Sequence, residues 1–184
     1  MERKVILDLA VTLDGFIEGP NGEIDWCIME GESNFLDFLS SIDTILYGRI
    51  SYELWGNYEP EENAAILSKQ ICDAINSKAK YVFSKTKEKD EIGKAVYVTK
   101  NLTEWVSDLK YTAGKDIWLY GGADLITSFI NEDLVDGYRL AVHPVILGRG
   151  KPLFQNISRR ASLKLEEVIT SKSGVALMTY SVIK

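Results

Sequence analysis

The sequence predicts an α/β fold built on a mostly parallel sheet of about eight strands, covered by helices and closed by an antiparallel hairpin at its C-terminal end. Three observations predict it. Short apolar runs alternate along most of the chain with stretches whose apolar residues recur at helical spacing. Three of those runs stop on glycine, hydroxyl or cationic residues, at Gly48-Arg49, Ser84-Lys85 and Gly121-Gly122. The last two runs, 162–170 and 175–183, are joined across Ser171-Lys172-Ser173-Gly174, which reads as a hairpin turn.

At 184 residues and 46% hydrophobic content the chain suffices for one domain, 1–184, and is short for two. A net charge of -6 excludes an extended nucleic-acid surface, which needs clustered Lys and Arg. No apolar run approaches the roughly 20 residues of a membrane helix, and Met-Glu-Arg-Lys leads straight into a strand. A cytoplasmic protein without membrane contact is expected. Cys27 and Cys72 fall in different predicted elements and are expected to be reduced. With one histidine, His143, and no paired-cysteine motif, no metal site is expected.

Taken in order, residues 4–12 (KVILDLAVT) read as a buried strand with Asp8 as its one ionisable interior residue. The loop 13–22 mixes three glycines and Pro20 with Phe16 and Ile17. Either it folds back onto the core or its apolar residues form part of a pocket wall, and Asp25-Trp26 closes it. Ser33 is placed to cap a helix carrying Phe35, Phe38, Leu39 and Ile42. Residues 43–48 form the next strand. It runs into Gly48-Arg49-Ile50-Ser51-Tyr52-Glu53, where an arginine beside a hydroxyl at a helix start suits a phosphate. Taken alone, Arg49 reads as a surface ion pair.

Ala64, Leu67, Ile71, Ile75 and Ala79 predict a helix over 61–80, and 80–84 returns as a strand. A short strand over 95–99 precedes Asn101, which with Glu104 makes a capping-box-like start to a helix carrying Leu102, Trp105, Val106 and Leu109. Asp116 to Tyr120 is a branched and aromatic strand that stops on Gly121-Gly122 before a helix over 124–131. Two adjacent glycines let the main chain approach a ligand whose phosphates sit against helix amides, and they serve equally as a steric turn. The run 136–147 reads as a long strand with a bend or an edge at Pro144, followed by the basic loop 148–152.

In an open α/β sheet, ligands bind beyond the carboxyl ends of the parallel strands, and all three junctions lie at such ends. A dinucleotide needs several anion-binding points along one edge. The chain has neither G-x-G-x-x-G nor G-x-x-x-x-G-K-[ST], so it is neither an ordinary dinucleotide fold nor a P-loop protein.

Thr12-Leu13-Asp14-Gly15-Phe16-Ile17, Tyr47-Gly48-Arg49-Ile50-Ser51-Tyr52-Glu53, Gly121-Gly122, and Leu134-Val135-Asp136 running into His143-Pro144-Val145-Ile146-Leu147-Gly148 together carry a resemblance. In order and spacing they resemble the dihydrofolate reductase-like proteins, and most closely the branch containing the C-terminal reductase domain of bifunctional riboflavin-biosynthesis deaminase-reductases. The resemblance covers nearly the whole chain. It implies a dihydrofolate reductase-like three-layer sandwich acting as a homodimer, with the Gly-Gly bond often cis. It also implies NADPH-dependent hydride transfer to a pterin-like or ribosylamino-pyrimidine substrate, as in 5-amino-6-(5-phosphoribosylamino)uracil reductase. The alternatives are a dihydrofolate reductase proper and a non-catalytic NADPH-binding homodimer.

Carried across, the resemblance implies that Gly48, Arg49 and Ser51 meet the cofactor phosphates and that Ser84 and Lys85 flank the adenosine 2′-phosphate. Gly121, Gly122, Ala123, Asp124 and Leu125 would hold the pyrophosphate, and Ile17, Trp26 and Trp55 would form the nicotinamide and substrate pocket. Classical dihydrofolate reductases place an acid at the start of the helix after the loop tryptophan. Here that region is Glu30-Gly31-Glu32-Ser33-Asn34, and no single residue aligns. The expected acid nearest the substrate is therefore Asp14, with Asp25 second, each either a buried carboxyl of raised pKa or a turn cap.

Overall fold

The computed structural model describes residues 2–28, 32–57, 59, 65–89 and 94–184. In chain order the elements are β1 (Val5–Thr12), β2 (Phe16–Glu18), α1 (Glu32–Ser41), β3 (Ile42–Gly48), α2 (Arg49–Trp55), α3 (Ile66–Asn76), β4 (Ala79–Phe83) and β5 (Val96–Val98). There follow α4 (Leu102–Lys110), β6 (Asp116–Gly121), α5 (Ala123–Asn131), β7 (Gly137–His143), β8 (Lys151–Pro152), β9 (Leu163–Thr170) and β10 (Ala176–Val182). They fall into two compact units, one of residues 1–4 and 31–122, the other of 5–30 and 123–184.

In the first unit β5, β4, β3 and β6 lie side by side in that order, and every pairing is parallel. Their near-continuous apolar runs are what a sheet covered on both faces requires, and Ile45, Leu46, Tyr47, Val82, Ile117 and Leu119 are fully buried. From α1, Phe35 and Phe38 meet Trp118 edge to face at 5.6 and 5.7 Å between centroids. The stripe on α4 is core, as its spacing predicts: Val106 is fully buried, and Trp105 packs on Tyr81 and Phe83. Asn101 caps that helix by accepting from the Glu104 amide at 3.2 Å. The N-terminus is pinned by the buried Arg3, which pairs with Asp43 and donates to Thr44 Oγ1 at 2.7 Å and to the Lys115 carbonyl at 2.6 Å.

In the second unit the order is β1, β7, β10, β9, with β1 and β7 parallel and the other two pairings antiparallel. The predicted C-terminal hairpin is present, and its turn is closed by Gly174 at φ 89°, where glycine is favoured. Helix α5 buries Ile126, Phe129 and Ile130.

Of the two readings of the opening loop, the first applies. It folds back, since β2 pairs with β8 and Gly150 passes so near the Glu18 carbonyl that a Cβ would stand 2.3 Å from it. Gly19, Pro20 and Asn21 line a cavity described below, to which Phe16 and Ile17 do not contribute.

Several boundaries differ from expectation. The strand expected over 136–147 stops at His143, because Pro144 has no amide to continue the ladder. Helix α3 ends at Asn76, and Lys80 already belongs to β4. The expected start of that helix, Glu61 and Ala64, lies outside the described residues, as do Glu30 and Gly31. Helix α1 begins at Glu32, one residue before the expected cap Ser33. Among the described residues no helix is long and apolar enough to cross a membrane.

Candidate functional site

The parallel register of the first unit sets the carboxyl ends of β3, β4 and β6 along one edge, with Gly48 opposite Phe83 and Tyr47 opposite Gly121. The three predicted junctions therefore share that edge. Space is tight at Gly48: a Cβ on it would stand 3.2 Å from the Gly122 amide nitrogen, which would have to give by a few tenths of an ångström, and in ordinary contact, 3.5 Å, with the Gly121 carbonyl oxygen. A Cβ on Gly122 would stand 2.9 Å from Ser51 Oγ. Gly48, Ser51, Gly121 and Gly122 are thus brought together in a backbone cradle that side chains would fill. The Gly121-Gly122 peptide bond is cis, and Gly122 links β6 to α5, between a strand and a helix start as the sequence predicts.

Beneath that edge, Tyr47 is fully buried, and its hydroxyl has no hydrogen-bond partner among the described residues. Its ring lies 4.8 Å from Tyr120 and 5.6 Å from Tyr52. Burial, with some help from those two phenols, pushes the hydroxyl well above the ordinary tyrosine range, so it stays neutral and able to donate.

The cationic residues of the edge are arranged around a carboxylate. Arg49 Nη1 donates to Glu53 Oε2 at 2.7 Å, and Lys87 Nζ stands 3.5 Å from Glu53 Oε1. Ser84 closes the turn after β4, its Oγ accepting from the amides of Thr86 at 3.2 Å and Lys87 at 2.9 Å. Lys85 is exposed. Trp55 ends α2 at 37% exposure.

In the second unit Asp14 is exposed and saturated. Thr12 donates its hydroxyl to Oδ1 at 2.6 Å, and the amides of Gly148 and Leu147 donate at 2.7 and 3.3 Å. The Thr12 hydroxyl, outweighing slight desolvation and joined by those amides, holds the carboxyl below its ordinary value. Of the two readings of Asp14, the carboxyl of raised pKa is corrected and the cap applies: its donors stabilise the charged form, and they tie the opening loop to the loop after β7.

Asp25 is exposed and, with Trp26, Glu23, Leu147 and Arg149, lines a cavity of about 380 Å³. Trp26 meets the buried His143 edge to face at 5.2 Å, and Ile17 sits half-buried in β2. Ala123, Asp124 and Leu125 form the first turn of α5, where Gln155 Nε2 reaches Asp124 Oδ1 at 3.4 Å.

The carboxyl with the raised pKa is Asp8. It is buried, and desolvation, partly offset by the Arg139 guanidinium 2.5 Å away, pushes it up to about 6. Sequence reasoning noted Asp8 and missed its partner, although Arg139 is a lone cation in the next parallel strand. It also missed Glu53, whose four-residue spacing from Arg49 is a helical ion-pair signal, and Arg149.

Comparison with known proteins adds to this geometry. The family model for the RibD C-terminal domain matches residues 3–177. The uncharacterized protein YyaP of Bacillus subtilis (strain 168) is 53% identical over 179 residues, covering 97% of this chain and 95% of its own. A diaminohydroxyphosphoribosylaminopyrimidine deaminase/5-amino-6-(5-phosphoribosylamino)uracil reductase from Thermotoga maritima superposes with TM-score 0.72 at 16% identity, over 99% of this chain and 57% of that one. Dihydrofolate reductase from Enterococcus faecalis, complexed with NADP(H) and RAB-propyl, superposes with TM-score 0.67 at 14% identity over all of both chains. At those identities the likeness is one of fold, and it shows the dihydrofolate reductase-like class expected from the sequence.

Proposed function

We propose, since this chain belongs to the RibD C-terminal domain family, that it is an NADPH-dependent reductase acting on a ribosylamino-pyrimidine or pterin-like substrate. The observation that carries this reading is the cradle formed by Gly48, Ser51, Gly121 and Gly122 at the carboxyl ends of the two parallel strands β3 and β6. The residues present fit the cofactor: two glycines leave space that a Cβ would occupy, an orphaned buried hydroxyl lies beneath, and cations border the edge. NADPH, when bound, supplies the hydride.

The remaining work falls to the chain itself. The backbone at Gly121-Gly122, the Ser51 hydroxyl and the first turn of α5 from Ala123 to Leu125 hold the pyrophosphate. Arg49, with Lys85 and Ser84, faces the 2′-phosphate. Asp14 serves to hold the opening loop, which leaves Asp25, in the cavity with Trp26 and Arg149, as the carboxyl nearest the substrate. We read residues 1–184 as a single reductase domain working as a cytoplasmic homodimer, without a nucleic-acid partner.

Titration with NADPH and NADH tests the cofactor assignment. A charge-assisted contact contributes about 1.5–3 kcal/mol when shielded and less when exposed, as Lys85 is. Lys85→Ala should therefore weaken NADPH binding by about tenfold and leave NADH unchanged. Equal weakening of both, or wild-type binding of NADH as tight as NADPH, would remove the 2′-phosphate assignment.

A further inference from the structure

We propose that Glu53 sets how strongly this edge prefers a 2′-phosphorylated nucleotide, by holding Arg49 and Lys87 in competition with the ligand's phosphate. The inference rests on the reading of this edge as the 2′-phosphate site.

Glu53 lies one helical turn beyond Arg49 in α2, and its two oxygens serve two cations: Oε2 accepts from Arg49 Nη1 at 2.7 Å, and Oε1 faces Lys87 Nζ at 3.5 Å. Lys87 is delivered by the turn that Ser84 closes, and its ammonium stands 5.9 Å from the centroid of the Tyr97 ring. Glu53 thus offsets part of the positive charge that Arg49 and Lys87 bring to the edge.

The three side chains are 38, 39 and 33% exposed in the order Arg49, Glu53, Lys87. Exposed ion pairs are weak and exchange readily, so the cluster is not a fixed structural bolt. A phosphate offers the guanidinium a bidentate, more highly charged partner and displaces the carboxylate. It does so against the Glu53 charge, which a nucleotide lacking that phosphate does not meet. Glu53 therefore acts on the choice between nucleotides more than on nucleotide binding as such.

The test is calorimetric titration of wild type, Glu53→Gln and Glu132→Gln with 2′,5′-ADP and with 5′-AMP, at low and at moderate salt. Glutamine keeps the shape of the side chain, and Glu132→Gln removes the same unit charge just after α5. Glu53→Gln should bind 2′,5′-ADP about tenfold more tightly, the size of one carboxylate–phosphate repulsion at a few ångströms in water-like surroundings. Its affinity should also fall more steeply with salt. Its 5′-AMP binding should match wild type, as should both affinities of Glu132→Gln. If Glu53→Gln binds 2′,5′-ADP no better than wild type, or less well, Glu53 is a support for the cations and the inference is overturned while the cofactor reading stands. If wild type binds no 2′,5′-ADP, the cofactor reading fails and takes the inference with it.

Discussion

Replacing Gly48 with valine should weaken NADPH and NADH binding together by at least about 100-fold. The first added carbon would stand 3.2 Å from the Gly122 amide nitrogen and 3.5 Å from the Gly121 carbonyl oxygen, and valine adds two more beyond it. Both neighbours are backbone and cannot rotate aside, so the ends of β3 and β6 must separate or the cradle must close over its ligand space. Overpacking of this kind costs about 1–3 kcal/mol of stability, which a thermal melt would register as a lowered but still cooperative transition. The two cofactors should suffer alike, because the affected contact is to the pyrophosphate they share. That pattern differs from the selective loss expected of Lys85→Ala. A folded Gly48→Val protein with wild-type affinity would place the pyrophosphate elsewhere.

The second large effect lies at the pair of buried Asp8 and half-buried Arg139. Asp8→Ala should destabilise the protein by about 1.5–3 kcal/mol, because it removes a charge-assisted hydrogen bond between a buried carboxyl and the Arg139 guanidinium. The pair also has a pH signature. Folding raises the Asp8 pKa from 3.8 to about 6, so the folded state holds a proton that the unfolded chain releases between those values. Its contribution is full below pH 3.8 and is lost as pH rises through 6. Two pKa units correspond to about 3 kcal/mol at most. In urea unfolding, the stability of wild type minus that of Asp8→Asn should shrink between pH 4.5 and pH 8 by about 2 kcal/mol. An unchanged difference would mean that Asp8 titrates alike in both states.

How much of this was legible in the sequence follows from the range of each interaction. The glycine junctions were legible because each glycine stands where one period gives way to another, and the reason for it is local. Asn101 with Glu104, and the turn from Ser171 to Gly174, were legible for the same cause. The opening loop was only half legible: β2 and β8 have three and two residues, too few to show an alternation, and their pairing joins distant stretches. Asp14 has a true role that depends on Leu147 and Gly148, 133 and 134 residues away, so its sequence neighbourhood could offer the loop-cap reading without selecting it. Asp8 and Arg139 meet only through the register of β1 and β7, which places them directly opposite. Glu53 was within reach by spacing alone, since Arg49 lies four residues before it on a helix.

The most direct test of the central claim, that the edge formed by Gly48 to Ser51 and Gly121-Gly122 holds NADPH, is amide hydrogen exchange of the wild-type protein with and without a saturating concentration of NADPH. The predicted result is gained protection at residues 48–51 and 121–125. Protection confined to other segments, with 48–51 and 121–125 exchanging at the same rate in both states, would contradict it.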